Sequence, residues 1–392
     1  MEINNCCICG KNVKDVINIK NRDIIGMAET YEQIISICPS CGFIFTKNPF
    51  SPQKLKERYQ NFSKFEYDNN DYVFEENEFY RKSCLRQQQF IYRNIDSNQI
   101  KSILEIGASS GYNLSLYPEL KRYGVEPSKI NVHNAKVKYN VDLFCGMFDD
   151  FYNDITNGEH GYDLIFMSMT LEHIINPSEL ISKLDKLCNG YMFIEVPTFD
   201  YKFVNEPYGM FCEEHVNMFT FESLQALMNR YGYMCINAEM NFELSRTLPA
   251  GYPGMTTLWK KQKIVKNYIP SYSSEELLNK YILTSKKELN RIGKIIDKIN
   301  NNERLAIWGT GHHASMLYEN TSLKEKNIVK IFDSDKRKIG MSMFGVSIEN
   351  FDEKYILNKN ITTILIASYT AQTSISNILN KYNINIIKLY NT

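Results

Sequence analysis

Ile103-Leu104-Glu105-Ile106-Gly107-Ala108-Ser109-Ser110-Gly111 is the stretch that decides the fold. Its apolar run reads as a buried strand that breaks into a loop and then a helix. Glycine tolerates backbone conformations closed to other residues and lets the main chain approach a ligand closely. The spacing is Gly-x-x-x-Gly, with Glu105 two positions before Gly107. Dinucleotide-binding turns carry Gly-x-Gly-x-x-Gly instead. Further along, Tyr123–Glu126 reads as the next strand, and Glu126 stands 19 residues after Gly107. A carboxylate there is placed to accept hydrogen bonds from ribose hydroxyls. Asp149-Asp150 follow a third strand, where an adenine amino group would sit. Leu164–Met167 and Tyr191–Val196 read as two more buried strands, the first leading into Met169-Thr170-Leu171-Glu172-His173. Helical stretches separate these runs. Such alternation predicts an α/β fold, a parallel sheet with helices on both faces.

The chain has 392 residues, a length that suggests two or three domains. Lys+Arg and Asp+Glu are both 45, so the formal net charge is zero. That balance argues against a general nucleic-acid binder, which carries a basic surplus. No apolar run is long enough to span a membrane. Met1-Glu2-Ile3-Asn4-Asn5 lacks the basic patch and apolar core of a signal peptide, so a cytoplasmic location is expected.

Five of the ten cysteines crowd the first 41 residues. Cys6-x-x-Cys9-Gly10 and Cys38-x-x-Cys41-Gly42 are two knuckles of one form. A C-x2-C step brings both sulfurs to one ion, and four thiolates complete a tetrahedral zinc with no open position. A structural zinc on Cys6, Cys9, Cys38 and Cys41 is therefore expected. Cys7 lies inside the first knuckle and is the competing ligand.

Outward from the core, the expected parts are a zinc-binding module over 1–60, a helical and loop connector over 61–100 that contributes to the substrate site, a central α/β core over 101–260, a helical linker over 261–302, and a C-terminal Rossmann-like domain over 303–392. Strands are expected at Ile34–Ile37, Phe43–Thr46, Leu305–Trp308, Ile328–Phe332 and Thr363–Ile366, with helices over 76–94 and 273–302.

Taken in order, the central motifs resemble a class I S-adenosylmethionine-dependent methyltransferase. Glu195-Val196-Pro197 and Glu213-Glu214-His215-Val216-x-x-Phe219, behind zinc knuckles and ahead of Trp308-Gly309-Thr310-Gly311-His312-His313-Ala314, resemble the sugar C-methyltransferase family. That family methylates nucleotide-linked 4-keto-6-deoxy sugars. The resemblance implies a methyl-donor pocket of Glu105, Gly107, Ala108, Ser109, Gly111, Tyr112, Asn113, Glu126, Pro127, Met147 and Phe148, with Met169 near the methyl group. It implies His215 as the base that forms a substrate enolate, Glu214 as its orienting carboxylate, and Tyr67 or Tyr72 as a holder of the enolate oxygen. Histidine suits such a base because it titrates near neutrality. The implied partner is a nucleotide-linked sugar, and the expected state is a monomer. Cys212 stands where the family has a tyrosine, and the Ser/Thr run before the core is absent. These departures leave O- or N-methylation of a related molecule as an alternative. Gly309-x-Gly311-x-x-Ala314 with Asp333 supports another, an NAD-dependent oxidoreductase.

Overall fold

The computed structural model describes residues 2–22, 30–57, 78–155, 161–200, 206–241, 253–262, 273–358 and 360–391. They group into two compact units. One holds Met1–Val16, Ile35–Lys202 and Glu214–Leu277, and the other holds Ile17–Ile34, Phe203–Glu213 and Leu278–Thr392.

The two cysteine knuckles bracket strands β1 (Lys14–Arg22) and β2 (Thr30–Ile37), of which the stretch Ile17–Ile34 belongs to the second unit, and in the first unit β3 (Ile44–Thr46) follows the second knuckle. The chain then enters helix α1 (Glu78–Asn94) and strand β4 (Ser102–Ile106). Strands β5 (Lys121–Glu126), β6 (Phe144–Cys145), β7 (Tyr162–Ser168) and β8 (Cys188–Pro197) come next, separated by helices α2 (Tyr112–Ser115), α3 (Lys129–Tyr139), α4 (Phe148–Ile155) and α5 (Pro177–Leu187). A short strand β9 (Asn217–Met218), helix α6 (Phe221–Arg230), and strands β10 (Tyr233–Asn241) and β11 (Gly254–Lys261) complete the set.

The seven-stranded sheet has the order β10-β11-β8-β7-β4-β5-β6. The five strands β4 to β8 are mutually parallel, as expected. The wholly parallel sheet is corrected by β11, which runs antiparallel to both β8 and β10. A β11 segment with Thr256 and Thr257 in its buried run does not read as a strand. It is stable there because both hydroxyls are bonded, Thr256 to the Glu195 carboxylate at 2.7 Å and Thr257 to the Ile194 carbonyl at 2.8 Å.

Successive strand residues point to opposite faces. Leu104, Ile106, Ile165 and Met167 pack into one core. Ile103, Leu164 and Phe166 pack into a second on the other side. The strand order reverses between β4 and β7, and in open α/β sheets ligands bind at such a switch, beyond the carboxyl ends of the strands.

The second unit carries most of helix α7 (Ser273–Asp297), strand β12 (Leu305–Trp308), helix α8 (His312–Asn320) and five further strands, β13 (Ile328–Phe332), β14 (Ser342–Met343), β15 (Val346–Glu349), β16 (Thr363–Ile366) and β17 (Asn385–Lys388). Its sheet order is β14-β15-β13-β12-β16-β17. All pairs but β14–β15 are parallel. Strands β12, β13 and β16 have the bounds read from the sequence. Among the described residues, no helix is long and apolar enough to cross a membrane.

Candidate active site

The loop after β4 is shaped by backbone conformation. Gly107, Ser109 and Gly111 all have positive φ, at 76°, 49° and 74°. A Cβ on Gly107 would meet Thr170 Oγ1 at 2.6 Å, and one on Gly111 would meet Ala135 Cβ at 2.7 Å. These glycines are thus required by φ and by neighbouring side chains, rather than by ligand approach alone. Thr170 in turn donates to the carbonyls of Ile106 and Ser168, both at 3.1 Å, tying the ends of β4 and β7 together.

Glu126 ends β5 at 7% exposure. Its carboxylate accepts the Ser109 N–H at 2.8 Å and the Ser128 N–H at 2.9 Å. The Asn131 side-chain amide donates to the same carboxylate at 3.5 Å. Glu105 is buried within β4, and Ala108 is buried in the loop. Tyr112 stacks near Tyr80 and Tyr139, with ring centroids 5.9 Å and 5.6 Å away. Asn113, fully buried on α2, has neither amide atom hydrogen bonded. An orphaned amide of this kind is a site that a bound polar group satisfies. Pro127 follows β5, while Met147 and Phe148 follow β6 and open α4. Met169, at φ 51°, follows β7 and donates its N–H to the Glu195 carbonyl at 2.8 Å. Because β4 to β7 are parallel, all these positions except Glu105 lie along one edge of the sheet.

Beneath Met169 sits a buried polar network. Glu195 is fully buried and bonds Arg86 at 2.7 Å and Gln87 at 2.5 Å. Gln87 also donates to Ser168 at 2.9 Å. Helix α1 is thereby fixed against the ends of β7 and β8. Arg86 and Gln87 give no signal in the sequence, since their partners are more than 80 residues away.

His215 lies just before β9, which pairs with β3 of the N-terminal segment. Asn217 reaches the carbonyls of Leu171 at 3.1 Å and Ile174 at 2.6 Å, so the His215 loop is tied to the turn after β7. That turn carries Glu172 and His173. His173 Nδ1 donates to the Glu214 carbonyl at 2.9 Å. The His173 and His215 ring centroids are 5.1 Å apart, edge to face. The Glu172 carboxylate, at 1% exposure, lies 3.7 Å from His173 Nε2. The Leu-Glu-His motif that follows β7 reads in sequence as lining of the cofactor pocket or a helix start, and the structure brings Glu172 and His173 beside His215. Tyr67 and Tyr72 lie outside the described residues.

Cys6, Cys9, Cys38 and Cys41 converge, with sulfur separations of 3.5 Å for Cys6–Cys41 and 3.4 Å for Cys9–Cys38. All four sulfurs lie within 4.8 Å of one another. The Cys41 and Cys6 thiols beside Cys38 hold its thiol far below the ordinary range. This donor set fits tetrahedral zinc. Cys7 is outside the cluster, and burial pushes its thiol up to about 11.

Residues 74–238, from the approach to α1 through most of β10, match the family model described as "Methyltransferase domain". The chain carries a methyltransferase domain. No curated protein matches it. Among solved structures, magnesium protoporphyrin IX methyltransferase from Synechocystis PCC 6803, with bound S-adenosylhomocysteine, is 13% identical, covering 54% of this chain and 100% of its own, at a TM-score of 0.39. The plantazolicin methyltransferase BpumL is 16% identical over 54% of this chain and 90% of its own, at 0.36. A methyltransferase from Archaeoglobus fulgidus is 16% identical over 46% and 94%, also at 0.36.

The second unit repeats one device of the first. Asp333 accepts the N–H of Thr310 at 2.9 Å and of Asp335 at 2.9 Å, as Glu126 accepts those of Ser109 and Ser128. Gly309 has φ 111°. His313 at the start of α8 is buried, and burial, with His312 beside it, pushes its pKa down to about 3.

Proposed function

We propose that this methyltransferase uses S-adenosylmethionine to methylate a carbon beside the ketone of a nucleotide-linked deoxy sugar. The observation that carries the reading is the Asn217 tether, which fastens the His215 loop to the turn following Met169 at the ligand-binding edge. The sugar class rests on the sequence resemblance. When bound, the donor supplies an electrophilic methyl group. The main chain from Gly107 to Gly111 and the Glu126 carboxylate hold it, with Met169 close to the methyl.

A ketone acidifies the neighbouring C–H because the charge comes to rest on oxygen. His215 takes that proton, and Glu214 helps orient it. A tyrosine of the 67–72 stretch, Tyr67 or Tyr72, holds the enolate oxygen. Fixed geometry between nucleophile and methyl supplies much of the remaining rate. Zinc on Cys6, Cys9, Cys38 and Cys41 has a structural role.

The test is exchange of the substrate C–H with deuterated water, read by mass spectrometry on a nucleotide-linked 4-keto-6-deoxy sugar. His215→Ala should bind S-adenosylhomocysteine normally and lose exchange and methyl transfer by about 10²–10⁴-fold. Exchange at the wild-type rate would move the base elsewhere. A wild-type product methylated on oxygen or nitrogen would end the C-methyl reading and leave the donor assignment standing.

A further inference from the structure

We propose that Glu172, His173 and His215 form a second cation site, for a divalent ion of the zinc class, whose occupation withdraws His215 from proton transfer. Its second half rests on the reading of His215 as the base.

One ligand atom from each of the three residues lies within 4.8 Å of the others. Donors about 2.1 Å from a shared tetrahedral ion stand about 3.4 Å apart. The 3.7 Å from Glu172 to His173 Nε2 is close to that already, and the widest separation needs closing by little more than 1 Å. Two imidazoles with one carboxylate suit zinc or cobalt rather than magnesium or calcium, which prefer oxygen.

The surroundings are arranged as they are around metal-binding histidines. Such a histidine gives its other ring N–H to a carbonyl or carboxylate, which fixes both the tautomer and the ring. His173 does this: the Glu214 carbonyl can only accept, so Nδ1 bears a proton, and Nε2, 3.7 Å from the Glu172 carboxylate, is the nitrogen that would meet the ion. Glu172, at 1% exposure, is a carboxylate that a cation would stabilise strongly. Three protein ligands leave a fourth position open.

An imidazole lone pair cannot hold a metal ion and a substrate proton at once. Metal occupancy and His215-dependent exchange are therefore mutually exclusive. Thiolates and imidazoles compete for zinc on different terms, and the four-cysteine cluster fills first because its ligand set is complete.

The experiment titrates the zinc-loaded protein with Zn²⁺, and in parallel with Co²⁺, followed by calorimetry and visible absorption. One further equivalent should bind. Cobalt there should give ligand-field bands without the thiolate-to-metal charge transfer of a cysteine site. Glu172→Gln and His173→Gln should each weaken that equivalent by about tenfold or more. Added Zn²⁺ should suppress C–H exchange in proportion to occupancy, and a mild chelator that spares the cysteine site should restore it.

No further equivalent in the wild type overturns the proposal, independently of how any variant folds. So does unchanged affinity in both variants, or a bound equivalent that leaves exchange untouched while His215→Ala abolishes it. If His215→Ala keeps exchange, the base assignment and the inhibitory half fail together, while calorimetry still decides the cation site.

Discussion

Thr46 holds the two consecutive main-chain carbonyls of His215 and Val216. Its N–H donates to the Val216 carbonyl at 2.7 Å and its hydroxyl to the His215 carbonyl at 3.5 Å. The short main-chain bond should dominate, because a hydroxyl contact at that distance is near the limit of a useful bond. Thr46→Val should therefore change C–H exchange by less than about fivefold, the worth of one ordinary hydrogen bond. A loss approaching that of His215→Ala would show that the hydroxyl, and not the strand pairing, places the loop.

The four-cysteine cluster makes a second prediction. Purified protein should hold one zinc, and Cys38→Ser should lose it. Loss of a structural metal belongs among the large destabilisations, above about 4 kcal/mol. Cys7→Ala should keep the full equivalent, since Cys7 is outside the cluster. Elemental analysis and thermal melting check both. Zinc retained in Cys38→Ser, or lost in Cys7→Ala, would redraw the ligand set.

Gly107→Ala combines two costs. A residue with a Cβ at φ 76° is strained by about 1–2 kcal/mol. The added methyl also meets Thr170 Oγ1 at 2.6 Å, an overpacking term of about 1–3 kcal/mol. Denaturant unfolding should show a loss of several kcal/mol. Pairing the change with Thr170→Ala should recover the packing term and leave the backbone term. A double variant no better than the single one would mean that Thr170 is not the obstacle.

Glu126→Ala should weaken S-adenosylhomocysteine by about 10–100-fold, the range for a hydrogen bond to a charged group of about 1.5–3 kcal/mol. It also leaves the Ser109 and Ser128 amides without the acceptor they now share. Calorimetry that finds the wild-type affinity would remove Glu126 from the donor pocket.

Much of this fold could be read along the chain. Ser102–Ile106 was legible because a central parallel strand is apolar on both faces, so it appears as a run bounded by glycine. The same held for Leu305–Trp308, which Gly309 ends, while Thr363–Ile366 was legible from its apolar run alone. Strand β11 was not legible, because its buried threonines look polar until Glu195 and the Ile194 carbonyl are in place to bond them. Strand β1 mixes Lys, Asp and Asn with Val and Ile, a pattern that gives no clear period. At the site, Gly107, Gly111 and Glu126 were visible because strand ends impose fixed spacings. The gathering of Glu172 and His173 with His215 was not, because about forty residues intervene and the gap is closed by the Asn217 tether and the His173–Glu214 hydrogen bond.

The cysteine knuckles also bear on where this chain can be cut. Cys6, Ile8, Cys38, Cys41, Phe43 and Phe45 share one apolar cluster with Leu104, Met167, Phe219 and Trp259. The N-terminal segment is thus part of the interior that the methyltransferase sheet needs on that face. A truncation beginning near residue 74, where the family match starts, would strip one side of that interior and remove the partner strand of β9. Recombination must therefore carry residues 1–16 and 35–46 together with the sheet, because they share one interior.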